Sequence, residues 1–165
     1  MNACLIYGYA QKVDGSLDYQ TMARCDVGAA LFVREKIQMI FLTVEIGKGG
    51  VLMAEAMKEY LLHSCNKIMP SHVVIVPFGR NTAGETDALL AHAPFEVIER
   101  VYVVLTWYHI PRILFLWWVR GRMPRAGISW YGAHFVDVII EPAKMFNSIL
   151  RPRSSAKCAL PKTAN

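Results

Sequence analysis

The stretch VVLTWYHIPRI, Val103 to Ile113, gathers reactive residue types within a few positions. A β-branched apolar run stops at Thr106, and His109, Pro111 and Arg112 follow at once. Histidine moves protons near neutral pH, arginine grips carboxylate or phosphate oxygens with parallel N–H donors, and a threonine hydroxyl can orient a polar ligand. A second group lies upstream in Gly79-Arg80-Asn81-Thr82-Ala83-Gly84-Glu85, which supplies an amide, a hydroxyl and a carboxylate. Gly8 closes the first apolar run, and the turn Asp14-Gly15 follows it. His109, Glu85 and Asp14 are therefore the candidate acid-base groups, and Gly8, Asn81, Thr82, Thr106 and Arg112 the candidate ligand-binding residues.

Arg112 raises an electrostatic question. A cation in the first turn of a helix faces the positive end of the macrodipole, at a cost of about 0.3 to 1 kcal/mol when exposed. Compensation comes either from a protein carboxylate, with Glu85 and Glu45 the candidates, or from an external anion shared with the helix's free N–H groups. His109 sits just before that helix. It can serve as general acid or base, donate to an anionic oxygen, or simply hold its loop by bonding a backbone carbonyl. Asn81 and Thr82 are good helix caps as well as ligand contacts, and Glu85 in a first helical turn is favoured by the dipole whatever else it does.

Sharper signatures are missing. Gly8-Tyr9-Ala10 is not GxGxxG, and Gly47-Lys48-Gly49-Gly50 lacks both the Walker spacing and a Ser or Thr after the Lys. There is no GxSxG elbow and no HExxH helix. The histidines His63, His72, His92, His109 and His134 share no ligand spacing, so no metal site is expected.

These residues need elements to hold them. Short apolar runs at Ala3 to Tyr7, Met39 to Thr43, His72 to Val76, Val101 to Thr106 and Ile128 to Tyr131 alternate with longer segments of helical character. That alternation predicts βαβ units: an α/β fold with a mostly parallel five-stranded sheet between two layers of helices. The wholly apolar VVIV and VYVVL suit strands buried on both faces. A first helix is expected from about Leu17 to Glu35, capped by Ser16 or Asp18, with Met22, Ala29, Ala30 and Val33 on its inner face. A second is expected over Val51 to His63, a third from about Ala83, a fourth from Pro111, and a last around Val138 to Leu150, interrupted by Pro142. In open parallel sheets ligands sit beyond the carboxyl ends of the strands, and the polar candidates above cluster at those ends.

Length and composition agree with one domain over residues 1–150, followed by a basic, flexible tail over 151–165. Cys4, Cys25, Cys65 and Cys158 show neither pairing nor metal spacing, which favours a reducing compartment. The opening MNACLIYGYAQK reads as a strand and not as an export signal, so a cytoplasmic protein is expected. The most membrane-like window, Val101 to Val119, carries His109 and Arg112 near its middle, where charge is expensive, and reads as strand plus helix. Five Arg and no acid fall between Arg100 and Val136, and two Arg and two Lys with no acid in the tail, within a net charge of +5. This polarity implies an anionic partner, yet no dense basic stripe or module points to nucleic acid. Trp117 and Trp118 beside Arg120 read as a face packed on the sheet, or as an interfacial patch giving peripheral membrane contact.

Taken in order, the motifs resemble the YdcF-like domain family, which includes the ElyC and SanA members. The matching residues are Gly8; Asp14 and Gly15; Arg24; Gly49 and Gly50 with Glu55 and Ala56; Asn81 and Thr82; and Tyr108, His109, Pro111 and Arg112. The chain departs from that pattern at Glu85, where the family often has Asn, and at LTVEIGKGG, where it often has Ser-Gly-Gly. The resemblance implies a Rossmann-like sheet in the order 3-2-1-4-5 with a cleft above its first and fourth strands. It also implies a nucleotide-like ligand, S-adenosylmethionine included, and an association with envelope and surface-polysaccharide processes.

Two expectations follow. One is a protein that binds an anionic small molecule, nucleotide-like or sugar-phosphate-like, and can act on it. The other is a non-catalytic envelope or surface-polysaccharide biogenesis factor that docks on an anionic membrane or partner through the Arg100 to Arg125 face.

Overall fold

The computed structural model describes residues 1–9, 11–12, 14–43, 50–76, 82–92, 97–122 and 124–129. Glu45, Gly47 to Gly49, Asn81, the expected helix over 138–150 and the 151–165 tail lie outside the described residues.

Five strands form: β1 (Asn2–Tyr7), β2 (Met39–Thr43), β3 (Val73–Val76), β4 (Arg100–Thr106) and β5 (Arg125–Ser129). They build one sheet in the order β3-β2-β1-β4-β5, and every pairing in it is parallel. Between them run α1 (Tyr19–Arg34), α2 (Gly50–Ser64), α3 (Thr82–His92) and α4 (Ile110–Trp118). The fold is therefore α/β, as the alternation of apolar runs and helical segments predicts, and Rossmann-like in the order 3-2-1-4-5, which the resemblance implies.

The period-2 pleat divides the core into two layers. Cys4 and Ile6 of β1, with Tyr102 and Val104 of β4, face one side and pack with Cys25, Leu31 and Phe32 of α1 and Met57 and Leu61 of α2. Leu5 and Tyr7, with Val103 and Leu105, face the other and pack with Leu89 of α3 and Ile113, Leu116 and Trp117 of α4. Because both faces are covered, the inner strands are apolar through their middles, with polar residues only at their ends, as at Asn2, Thr43, Arg100 and Thr106. The Val101 to Val119 window divides into β4, a 3-10 turn over Trp107–His109 and α4. Among the described residues no helix is long and apolar enough to cross a membrane.

Three expectations need correction. The last strand starts at Arg125 and not at Ile128, in register with Tyr102 of β4; its sequence RAGIS carries too little apolar character to mark its start. Of the expected inner face of α1, Ala29 is buried and Met22 packs against the core, but Ala30 is exposed and Val33 is 45% exposed, and Thr21, Arg24, Cys25, Gly28, Leu31 and Phe32 make up the rest of that face. Trp117 is fully buried as expected, but Trp118 is 63% exposed.

Candidate functional site

In this strand order the chain reverses direction across the sheet between β1 and β4, and parallel sheets open a crevice at such a switch point. A cavity of about 260 Å³ lies there, lined by Tyr7 at the end of β1 with Gly8 and Tyr9 beyond it, by Leu105 near the end of β4 with His109 beyond it, and by side chains of the flanking helices. From α1 comes Arg24, from α2 Met53, from α3 Thr82 and Glu85, and from α4 Arg112 and Ile113.

Local sequence explains how each arrives. Asp18 caps α1, its Oδ1 accepting the Gln20 N–H at 2.9 Å, and so sets the phase that turns Arg24 inward. Gly8 sits in close quarters: a Cβ there would lie 2.7 Å from the Met53 Cε, the movable end of a flexible side chain, and 3.3 Å from the Thr43 carbonyl oxygen, a tight backbone contact. After β4, the Trp107–His109 turn swings His109 toward the cavity. The Tyr108 ring packs on His109 at 4.1 Å between centroids, and the Tyr108 hydroxyl donates to Gln20 Oε1 at 3.3 Å. Pro111 in the first turn then starts α4 and brings Arg112 to the wall.

A hydrogen-bond chain ties β1, α3 and α4 together behind the cavity. The Trp117 indole N–H donates to the Tyr7 hydroxyl oxygen at 3.2 Å. The Thr86 hydroxyl donates to the Thr82 carbonyl at 2.8 Å. That leaves the Thr86 oxygen to accept from Tyr7, at 2.9 Å. Burial pushes the Tyr7 phenol well above its ordinary range, against the opposing pull of these bonds, so it stays a neutral link. Thr82 then presents its Oγ1 to Arg112, whose Nη2 donates to it at 3.2 Å.

Arg24 is the feature that charge chemistry makes most unusual. It is 2% exposed, yet its acceptors are all neutral. Nε and Nη2 donate to the Thr106 Oγ1 at 3.1 and 2.9 Å, and Nη1 donates to the Tyr7 and Gly8 carbonyls at 2.8 and 3.0 Å. The Tyr9 ring lies 5.2 Å from the guanidinium carbon, within cation–π range. Burial lowers its pKa to about 10, opposed by the fields of Tyr108, Tyr9 and Glu85, and leaves it cationic at neutral pH. Buried charges are ordinarily paired with an opposite charge. Among the described residues Arg24 has no carboxylate within ion-pair distance.

The structure thus brings Gly8, Thr82, Glu85, His109 and Arg112 to one cavity. Two other candidates stand elsewhere. Asp14 lies on the exposed turn before α1, where its Oδ1 accepts from the Ser16 backbone N–H at 2.9 Å and from the Ser16 hydroxyl at 2.6 Å; these bonds hold its carboxyl below the usual range. It does not line the cavity, because the 11-residue β1–α1 connection from Gly8 to Asp18 carries its turn away from the strand end. Thr106 is fully buried and its hydroxyl is committed to Arg24, so it positions that cation and does not line the cavity itself. Conversely, Tyr7 and Tyr9 carry no motif signal for the lining, and Arg24 enters only as a residue matched in the family resemblance, with no role attached. The readable signal was a lone Arg in phase with Thr21, Cys25 and Gly28 on the inner side of α1.

Among the described residues no group of three or more His, Cys, Asp and Glu side chains is placed to hold a metal ion. The lining is cationic at Arg24 and Arg112, has its carboxylate at Glu85, and is apolar at Met53, Leu105 and Ile113. Compared with family models, curated proteins and solved structures, the chain matches none of them.

Proposed function

We propose that this cavity binds a negatively charged small molecule of the nucleotide-like or sugar-phosphate-like class, and that His109 and Glu85 move protons on it. The observation that carries this reading is the convergence of Arg24 and Arg112, from two different helices, on one crevice at the β1/β4 switch point. Low dielectric strengthens their pull on an anion, and the ligand's charge offsets the cost of keeping Arg24 out of water. The YdcF-like resemblance also implies S-adenosylmethionine, a net cation at neutral pH whose single carboxylate is all that two guanidiniums could hold, so the cationic lining favours the phosphorylated candidates over it. The test is a thermal-shift panel of nucleotides and sugar phosphates against wild type, Arg112→Gln and His109→Ala. Support is stabilisation of the wild type that Arg112→Gln loses. Equal stabilisation of all three proteins, or of none, refutes the reading. With a stabilising ligand in hand, loss of turnover in His109→Ala at preserved affinity assigns it the proton-transfer role.

A second reading draws on the end of α4, where Trp118 is 63% exposed and Val119 43% exposed, with Arg122 close behind in sequence. An exposed indole next to basic residues suits the headgroup region of an anionic membrane, the setting of an envelope or surface-polysaccharide biogenesis factor. The basic stretch is less available than its composition implies. Arg112 lines the cavity, and Arg120 forms a two-point pair with Asp87 at 2.6 and 3.0 Å. Salt-sensitive co-sedimentation with anionic vesicles, lost in Trp118→Ala and kept in His109→Ala, would support docking.

A further inference from the structure

Resting on the anion-binding reading above, we infer that the ligand is a compact phosphomonoester of a sugar or polyol, and that Arg24 is a ligand-binding residue holding its phosphate together with Arg112. Four observations converge on this class.

First, Arg24 is held rigidly from behind by Thr106 and by the Tyr7 and Gly8 carbonyls. Those four bonds leave one of the five guanidinium N–H donors, on Nη2, uncommitted in a residue that lines the cavity. A pre-positioned cation of this kind loses little entropy on binding and accepts a tetrahedral oxyanion in hydrogen-bond geometry. Second, the usual place for a dinucleotide's pyrophosphate is the N-terminus of the first helix. Here that end is occupied by a carboxylate of the chain itself, Asp18, which bonds the Gln20 N–H at 2.9 Å. Anion capture therefore passes from helix N–H groups to side-chain guanidiniums.

Third, a volume of about 260 Å³ falls just below the ~300 to 1,000 Å³ range of pockets for drug-sized ligands. It suits a phosphate on one sugar ring or short polyol, and two linked nucleosides would extend beyond it into solvent. Fourth, Glu85 stands in the same lining. A carboxylate offers hydrogen-bond acceptors where the guanidiniums offer donors, so hydroxyl groups of a ligand suit its side of the lining and phosphate oxygens suit the other. A phosphomonoester carries about −1.5 to −2 at neutral pH and has oxygens enough for both guanidiniums, while its carbon skeleton can keep that charge away from Glu85. Its hydroxyls then match Glu85.

Calorimetric titration of the full chain with inorganic phosphate, ribose 5-phosphate and NAD tests this. Ribose 5-phosphate is expected to bind more tightly than inorganic phosphate, with NAD not binding. Arg24→Lys should weaken ribose 5-phosphate by at least about tenfold, the loss of one charge-assisted bond. Glu85→Gln should weaken ribose 5-phosphate more than inorganic phosphate. Should NAD bind in place of ribose 5-phosphate, with loss in Arg112→Gln, the cavity still takes an anion and the compact-ligand inference is overturned. Equal affinity for inorganic phosphate and ribose 5-phosphate overturns the part assigned to Glu85. Absence of binding by any anionic probe, nucleotide or sugar phosphate, overturns both readings. Because Arg24→Lys can fail for reasons of folding, the wild-type Arg24 Nε–H resonance gives an independent check. It should shift as ribose 5-phosphate is added, and a resonance unmoved at saturation refutes the role of Arg24.

Discussion

Thr106→Val probes the arrangement behind the cavity without touching its lining. The substitution keeps the shape of a fully buried side chain and removes one oxygen, the Oγ1 that accepts from Arg24 at 3.1 and 2.9 Å. Hydrogen bonds to a charged group contribute about 1.5 to 3 kcal/mol each, and because two share one acceptor here the expected loss is about 2 to 4 kcal/mol. For a chain of this size that corresponds to a fall in Tm of roughly 5 to 15 °C. The assay is urea unfolding near neutral pH with linear extrapolation, accepted as a stability change only where the m-value is unchanged. The same substitution in an Arg24→Met background closes a double-mutant cycle. With the guanidinium gone, losing the hydroxyl should cost less than about 1 kcal/mol, leaving a coupling of about 1 to 3 kcal/mol between the two sites. The cycle does not depend on the sign of Arg24→Met itself, which can be neutral or even stabilising because it removes a buried charge. A coupling within about 0.5 kcal/mol of zero would refute the claim that Thr106 holds the cation.

Three further outcomes are expected. Gly28→Ala should destabilise by about 1 to 3 kcal/mol in urea, because its Cβ would run into the Ile6 side chain, itself fully buried between α1 and the sheet. Thiol labelling followed by peptide mapping should modify Cys65 before Cys4 and Cys25. The latter two are fully buried, and burial pushes the Cys25 thiol up to about 12, so their labelling should track global unfolding. Glu35 is held below its ordinary value of 4.5 first by the Tyr102 hydroxyl, which donates at 2.8 Å, and then by Arg34. A carboxyl depressed in the folded state contributes stability that is present above 4.5 and lost as pH falls through its folded value. Glu35→Gln should therefore show a shallower acid loss of stability than wild type, and an identical acid limb would count against the Tyr102 bond.

What could be read from the sequence, and what could not, divides along a physical line. β1, β2 and β4 announce themselves because a strand covered on both faces is apolar along its middle on both sides, and a run such as VYVVL has few other uses. β5 hides because an edge strand needs only backbone pairing, and RAGIS offers little side-chain signal. The grouping of Gly8, Thr82, Glu85, His109 and Arg112 was legible for a topological reason. A parallel sheet places every strand's carboxyl end on one edge, so polar residues just beyond those ends are neighbours whatever their separation in the chain. Asp14 satisfies the same sequence rule and still falls outside the cavity, because the long connection before α1 lets its turn sit in solvent.

Arg24 marks where pattern reading misleads for a definite reason. Helical periodicity is scored on apolar residues, so the stripe Met22, Ala29, Ala30 and Val33 suggests an inner face that leaves Arg24 out. The actual inner face is chosen by packing: Gly28 lets α1 close on Ile6 and Cys25 fills the space beside it, so the residue one turn earlier must also point inward. That residue is charged, and the structure accommodates it with oxygens the fold already has to spare, the last carbonyls of β1 and a threonine at the end of β4. A strand-end carbonyl has no next residue in the ladder to bond, so one guanidinium can serve both strand ends at the switch point. The cation that bonds both strand ends is thereby a cation of the cavity lining, and on the proposed anion-binding reading stability and affinity depend on the same side chain. Substitutions at Thr106 should accordingly weaken anion binding in proportion to the Arg24 coupling they remove, although Thr106 does not line the cavity. Stability and affinity measured on one set of variants would separate this linkage from two independent effects: a Thr106→Val protein that loses stability but binds its anion as tightly as wild type would break it.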